Sequence, residues 1–89
     1  MKNENEPIRH RYIQEFKTSD MPLATFLRYS GYKCTEVRKV DDRRAEFVFD
    51  KVDKQDLDDF NSDKTCVEPK MYTAIMRQQN RAARRVVQQ

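Results

Sequence analysis

Hydrophobic residues recur along this chain with two different periods, and the changes of period mark its elements. From Arg11 to Lys17, Tyr12, Ile13 and Phe16 stand among charged residues in an imperfect alternation that predicts a first strand. Thr18-Ser19-Asp20-Met21-Pro22 carries the chemistry of a helix start. Ser19 or Asp20 can accept from orphan N–H groups, and Pro22 sits in the first turn, where a missing donor costs nothing. Leu23, Phe26, Leu27 and Ser30 follow at i, i+3, i+4 and i+7 on one face. Gly31, the only glycine, stands where a left-handed C-terminal cap belongs, so a short helix is expected over about residues 20–30.

Tyr32 to Val40 reads as a second strand, Asp41-Asp42-Arg43 as a polar turn, and Arg44 to Asp50 as the clearest strand of all. In that last segment Ala45, Phe47 and Phe49 face one way and Arg44, Glu46, Val48 and Asp50 the other, so the two strands should pair as an antiparallel hairpin. A short helix is expected over Asp53 to Phe60, capped by Asp53 and packing through Leu57 and Phe60. Asn61 to Cys66 reads as a loop. Val67-Glu68-Pro69 opens the longest element, a helix from Pro69 to Val87, whose Tyr72, Ile75, Met76, Gln79, Ala82, Ala83 and Val86 form one stripe.

The order β-α-β-β-α-α predicts an α+β fold: a small three-stranded antiparallel sheet packed by helices on one face, with a long C-terminal helix. The expected core is Phe16, Leu23, Phe26, Leu27, Phe47, Phe49, Leu57, Phe60, Tyr72, Ile75 and Met76. Met1 to Pro7 is expected to be a disordered tail, and residues 8–89 one domain.

Composition narrows the function. Hydrophobic residues make up 37% of the 89 positions and charged residues another 37%, which leaves little apolar material for a deep cavity beside a core. A pocket should be shallow or shared between subunits. No apolar run approaches the roughly 20 residues that span a bilayer, and the polar start is no secretory signal, so a cytoplasmic protein without a membrane partner is expected. Cys34 and Cys66 lack metal-site or redox spacing and read as reduced, partly buried thiols.

The net charge is +3, but its distribution says more: aspartates concentrate over Asp50 to Asp63, and basic residues follow from Lys64 on. Phe16-Lys17-Thr18-Ser19-Asp20, then Leu23-Ala24 and Leu27, resembles the F-x-T-S-D-x-x-L-A-x-x-L opening of a family of small phage and prophage proteins of unknown function. The Arg44–Phe49 strand and the Val67-Glu68-Pro69 helix start extend the resemblance over about residues 12–86. It implies a phage or mobile-element origin. It also implies the accessory role common there, countering host defence by binding a nucleotide signal, a nucleic acid or a host protein.

Lys70, Arg77, Arg81, Arg84 and Arg85 fall together on the side of the last helix opposite its apolar stripe, and guanidinium forks suit phosphates. The same face is also what a solvated helix presents, and arginine near a helix C-terminus is favoured by the macrodipole. Around Gly31, Arg28, Tyr29, Tyr32 and Lys33 interleave basic and aromatic side chains in a manner suited to a nucleotide. The aspartate block lacks the central glycine and terminal glutamate of a calcium loop. The single histidine, His10, has no partner predicted by spacing, and one glycine cannot make a phosphate loop, so no catalytic residue, metal ligand or cofactor is expected. The sequence therefore points to a non-enzymatic binding protein. Its ligand would be an anionic, phosphate-bearing small molecule such as a nucleotide signal. The alternatives are a nucleic acid held by the basic helix, or a host protein or second copy of the chain held through a protein interface.

Overall fold

The computed structural model describes residues 11–63 and 65–88; the expected tail Met1 to Pro7 and His10 lie outside the described residues. The strands are β1 (Tyr12–Ile13), β2 (Phe16–Thr18), β3 (Cys34–Lys39), β4 (Ala45–Phe49) and β5 (Val52–Asp53). The helices are α1 (Met21–Tyr29), α2 (Lys54–Asn61) and α3 (Pro69–Val87). The main sheet has three antiparallel strands in the order β2-β4-β3, and β1 pairs with β5 beyond it.

The first strand expected from the sequence is broken in two, and its partner breaks at the same level. Tyr12 pairs with Asp53 and Ile13 with Val52, in the same register as Phe16 with Phe49. Between the two ladders Glu15 (φ 52°) and Lys51 (φ 55°) both adopt left-handed backbone. One ribbon therefore bends in both strands without slipping. The bend carries Val52, fully buried, into the core cluster and leaves Asp53 as the N-cap of α2, where its carboxylate accepts from Gln55 N–H at 2.9 Å.

The helix starts, and the end of α1, are built from the residues that announce them. Asp20 caps α1, accepting from Leu23 N–H at 3.4 Å, and Glu68 caps α3, accepting from Met71 N–H at 2.7 Å; Pro22 and Pro69 occupy the first turns. At the end of α1, Gly31 N–H donates to the Arg28 carbonyl (3.1 Å) and Tyr32 N–H to the Leu27 carbonyl (3.0 Å). This is the paired closure that needs a left-handed residue between them, and Gly31 supplies it at φ 101°. A Cβ there would meet no atom within 4 Å, so the demand for glycine is purely one of backbone. Gly31→Ala is expected to lower stability by about 1–2 kcal/mol, with Gly31→Asn less damaging, as read from denaturant midpoints. Equal midpoints for all three proteins would contradict this account of the cap.

The helices cover the face of the sheet bearing Phe47 and Phe49. Ala24, Phe26, Leu27, Phe47, Phe49 and Val52 form the buried cluster, with Phe16, Leu23, Leu57, Phe60 and Tyr72 packed against it. The Phe26 ring lies 5.3 Å from that of Phe60, tying α1 to α2, and Tyr29 meets Tyr72 edge-on at 6.3 Å, tying α1 to α3. Two expectations need correcting. Ile75 and Met76 are only half-buried and stand outside the cluster; the one buried residue of α3 is Gln79. Val48, absent from the expected core, is buried on the side of β4 opposite Phe47 and Phe49, because β4 is central and Lys17 and Glu36 flank it across the ladders. No helix among the described residues is long and apolar enough to cross a membrane.

Candidate anion-binding surface

The inward face of α3 determines what its outward face can be. Gln79 sits at the centre of the buried stripe with its side-chain oxygen accepting from Arg28 Nη1 at 3.0 Å. This polar tie, together with the Tyr72 hydroxyl donating to the Pro22 carbonyl at 2.9 Å, sets the rotation of α3 on α1. With that rotation set, the 3.6-residue repeat turns Lys70, Arg77, Arg81, Arg84 and Arg85 outward, and all five are exposed. None of the five is ion-paired or hydrogen-bonded through its side chain to a described residue. Ion pairs among the described residues lie elsewhere, including Arg11 with Asp53 (2.9 Å), Arg38 with Glu36 (3.3 Å) and Glu15 (3.7 Å), and Arg44 with Asp41 (3.3 Å).

Three aspartates of the block, Asp53, Asp56 and Asp59, are engaged in local structure. Asp53 caps α2 and pairs with Arg11. Burial pulls its carboxyl upward, but the Gln55 N–H and the Arg11 guanidinium outweigh that and hold it below the ordinary range. Asp59 accepts from the Gln55 side chain at 2.9 Å, and Asp56 accepts from the Tyr32 hydroxyl. Among the described residues, no three histidine, cysteine, aspartate or glutamate side chains come together in a metal-holding group.

Three of the four residues of the second predicted cluster come together, and two of those three are engaged within the fold. Arg28, Tyr32 and Lys33 line an open depression beside Gly31 and Cys34. Arg28 is engaged with Gln79. The Tyr32 hydroxyl accepts from Asp53 N–H at 3.1 Å and donates to Asp56 Oδ2 at 2.5 Å. Tyr29 leaves the cluster altogether, its hydroxyl accepting from Glu68 N–H at 2.9 Å at the start of α3. Only Lys33 of the four is exposed with no partner among the described residues. Cys34 is half-buried and Cys66 exposed, both as free thiols, so Cys66 departs from the partly buried side chain expected of it.

Along α3 the predicted cations divide. Lys70 and Arg77 border a shallow surface depression with Pro69 and Thr73. Arg84 instead reaches a separate cleft, where it meets Arg43 and Arg44 of the β3–β4 turn. From the sequence Arg43 read as a turn residue and Arg44 as the first residue of the following strand, which begins instead at Ala45. Their backbone N–H groups both donate to Asp41 Oδ1 at 2.9 Å, and this Asx turn is what aims the pair.

A family model described as a domain of unknown function, DUF5659, matches residues 13–84, from β1 to the arginines of α3. No curated protein and no solved structure matches the chain.

Proposed function

Since the chain belongs to the DUF5659 family, whose description specifies no activity, we propose a function from its own surface: a non-enzymatic module that holds the phosphate backbone of a nucleic acid against the outer face of α3. The observation that supports this is a row of exposed cations without a single acid to offset it. Between Pro69 and Val87 the helix has no aspartate or glutamate. An ordinary solvated helix interleaves opposite charges at i, i+4; here Arg77, Arg81 and Arg85 follow one another at that spacing, and each like-charged pair costs roughly 0.2–0.5 kcal/mol. A polyanion removes that repulsion and releases its own counterions in doing so.

Shape favours an extended ligand over a compact one. The row from Lys70 to Arg85 runs about 22 Å along a convex cylinder, which suits a phosphate chain better than a single nucleotide. The nucleotide-signal reading also needs open stacking platforms, and the rings of Tyr29 and Tyr32 are half-buried, Tyr29 against Tyr72 and Tyr32 against the core cluster. In a phage or mobile-element setting, the source its resemblance implies, such a protein acts by occupying nucleic acid and needs no catalysis.

The test is fluorescence anisotropy with labelled duplex and single-stranded DNA across about 50–200 mM salt. With three to four phosphates engaged, the log–log slope is expected near −3 to −4 on duplex. Arg77→Ala combined with Arg81→Ala should reduce its magnitude by about 2. A salt-independent affinity, or no binding at the lowest salt, rejects the proposal.

A further inference from the structure

The structure also contains a built concavity to which the arginines of α3 contribute only Arg84. Between the start of α1, the β3–β4 turn and the last two turns of α3 lies a cleft of about 320 Å³. Its size falls at the lower end of the range for small-molecule sites, about 300–1,000 Å³. Its floor is apolar: Phe47 and Ala45 are buried, and Met21, Ala83 and Val87 are half-buried beside them. Its rim carries the exposed Arg43, Arg44 and Arg84, drawn from two elements far apart in sequence, and no acidic residue lines it.

We propose that this cleft is a binding site for a small amphipathic anion: an aromatic or aliphatic body on the Phe47–Ala83–Val87 floor, with one carboxylate, sulfonate or phosphate head held by the rim arginines. Three features converge on that ligand class. Ser19, Asn80 and Gln88 are the uncharged polar groups of the lining, and the floor formed by Met21, Ala45, Phe47, Ala83 and Val87 offers no hydrogen bond from its side chains, so the part of the ligand resting on it is apolar. Three guanidinium groups line the cleft, and among the described residues only Asp41 pairs with one of them, which leaves positive charge for a single anionic head and none for a cation. The cleft also persists because Ala83 is small where a larger side chain on the inward stripe of α3 would close it. A surface shaped only for stability would fill such a hollow.

This site differs from the outer face of α3 in the residues that define it, since Arg43 and Arg44 serve only the cleft and Arg77 and Arg81 only the row. The probe is anilinonaphthalene sulfonate, which has an aromatic body and one anionic head, followed by calorimetry and by backbone-amide NMR shifts on the full chain. A single saturable equivalent is expected, with shifts concentrated at Ala45, Phe47, Ala83 and Val87. Arg43→Gln with Arg44→Gln should weaken it about tenfold, the loss of a charge-assisted contact. The uncharged phenylnaphthylamine should bind at least as weakly. Ala83→Phe, which fills the floor, should abolish binding while the thermal transition is retained; Val87→Trp serves the same purpose if Ala83→Phe fails to fold. Arg77→Ala with Arg81→Ala should leave probe affinity unchanged. Shifts centred elsewhere, undiminished binding by the filled variants, or equal affinity for the uncharged analogue would each overturn the assignment.

Discussion

Phe49→Ala is expected to be the most damaging single substitution, lowering stability by about 3–5 kcal/mol. Phe49 is fully buried on the central strand, between Phe16 of β2 and Cys34 of β3, and belongs to the cluster formed with Leu27 and Val52. A domain of this size has a total stability of about 5–15 kcal/mol, so the variant loses a large share of it. Its neighbours in the sheet cannot collapse into the void, because β4 is paired on both sides. Ile75→Ala is the matched control. Ile75 belongs to the helical stripe but stands half-buried outside the cluster, and its truncation should be markedly milder. Chemical denaturation followed by circular dichroism separates the two; comparable losses for both would mean that the core is not where the structure puts it.

Tyr32→Phe is expected to lower stability by about 1–3 kcal/mol, although it removes a single oxygen. That oxygen receives Asp53 N–H and donates to Asp56, so it joins the residue after the α1 cap to the first turn of α2. Without it the Asp53 N–H loses its acceptor at the point where the bent ribbon enters the helix. The same group gives the fold an alkaline limit. Burial, and next the hydrogen bond to Asp56, push the Tyr32 hydroxyl up to about 12 from 10.0. A pKa raised in the folded state means that the folded chain holds the proton more tightly. The contribution is therefore intact below pH 10 and is lost as pH rises from 10 through 12. Burial also raises the Tyr72 hydroxyl and adds a loss in the same direction, so the informative quantity is the difference between the parent protein and Tyr32→Phe. That difference should shrink between pH 10 and 12. A gap that stays constant across this range would show that the hydroxyl is not the titrating link.

Both predictions concern what the fold stands on, and they also bear on the anion-binding surface. Arg28 and Tyr32 belong to the scaffold, so neutralising Arg28 should reduce stability before it reduces ligand affinity. Arg77 and Arg81 have no such duty, which is why they carry the binding test.

Local signals in the chain were sufficient for the elements themselves. Capping side chains at Asp20, Asp53 and Glu68, prolines in first turns, and Gly31 after α1 each act within a few residues, through geometry that the chain dictates on its own. The alternation of Ala45, Phe47 and Phe49 and the helical stripe around Tyr72 likewise followed from period alone, and so did the outward placement of Lys70, Arg77, Arg81, Arg84 and Arg85. What no period contains is which side chains from distant segments will meet. Arg28 reaches Gln79 across 51 positions, Tyr32 reaches Asp56 across 24, and Arg43 and Arg44 come to line one cleft with Arg84 only because the β3–β4 turn lies beside the end of α3. Pairwise burial decides these matters: a guanidinium or phenol loses water only where another element covers it, and only there must it find a partner. By that test tertiary packing assigned Arg28, Tyr29 and Tyr32 to the scaffold, and left the arginines of α3 exposed to solvent.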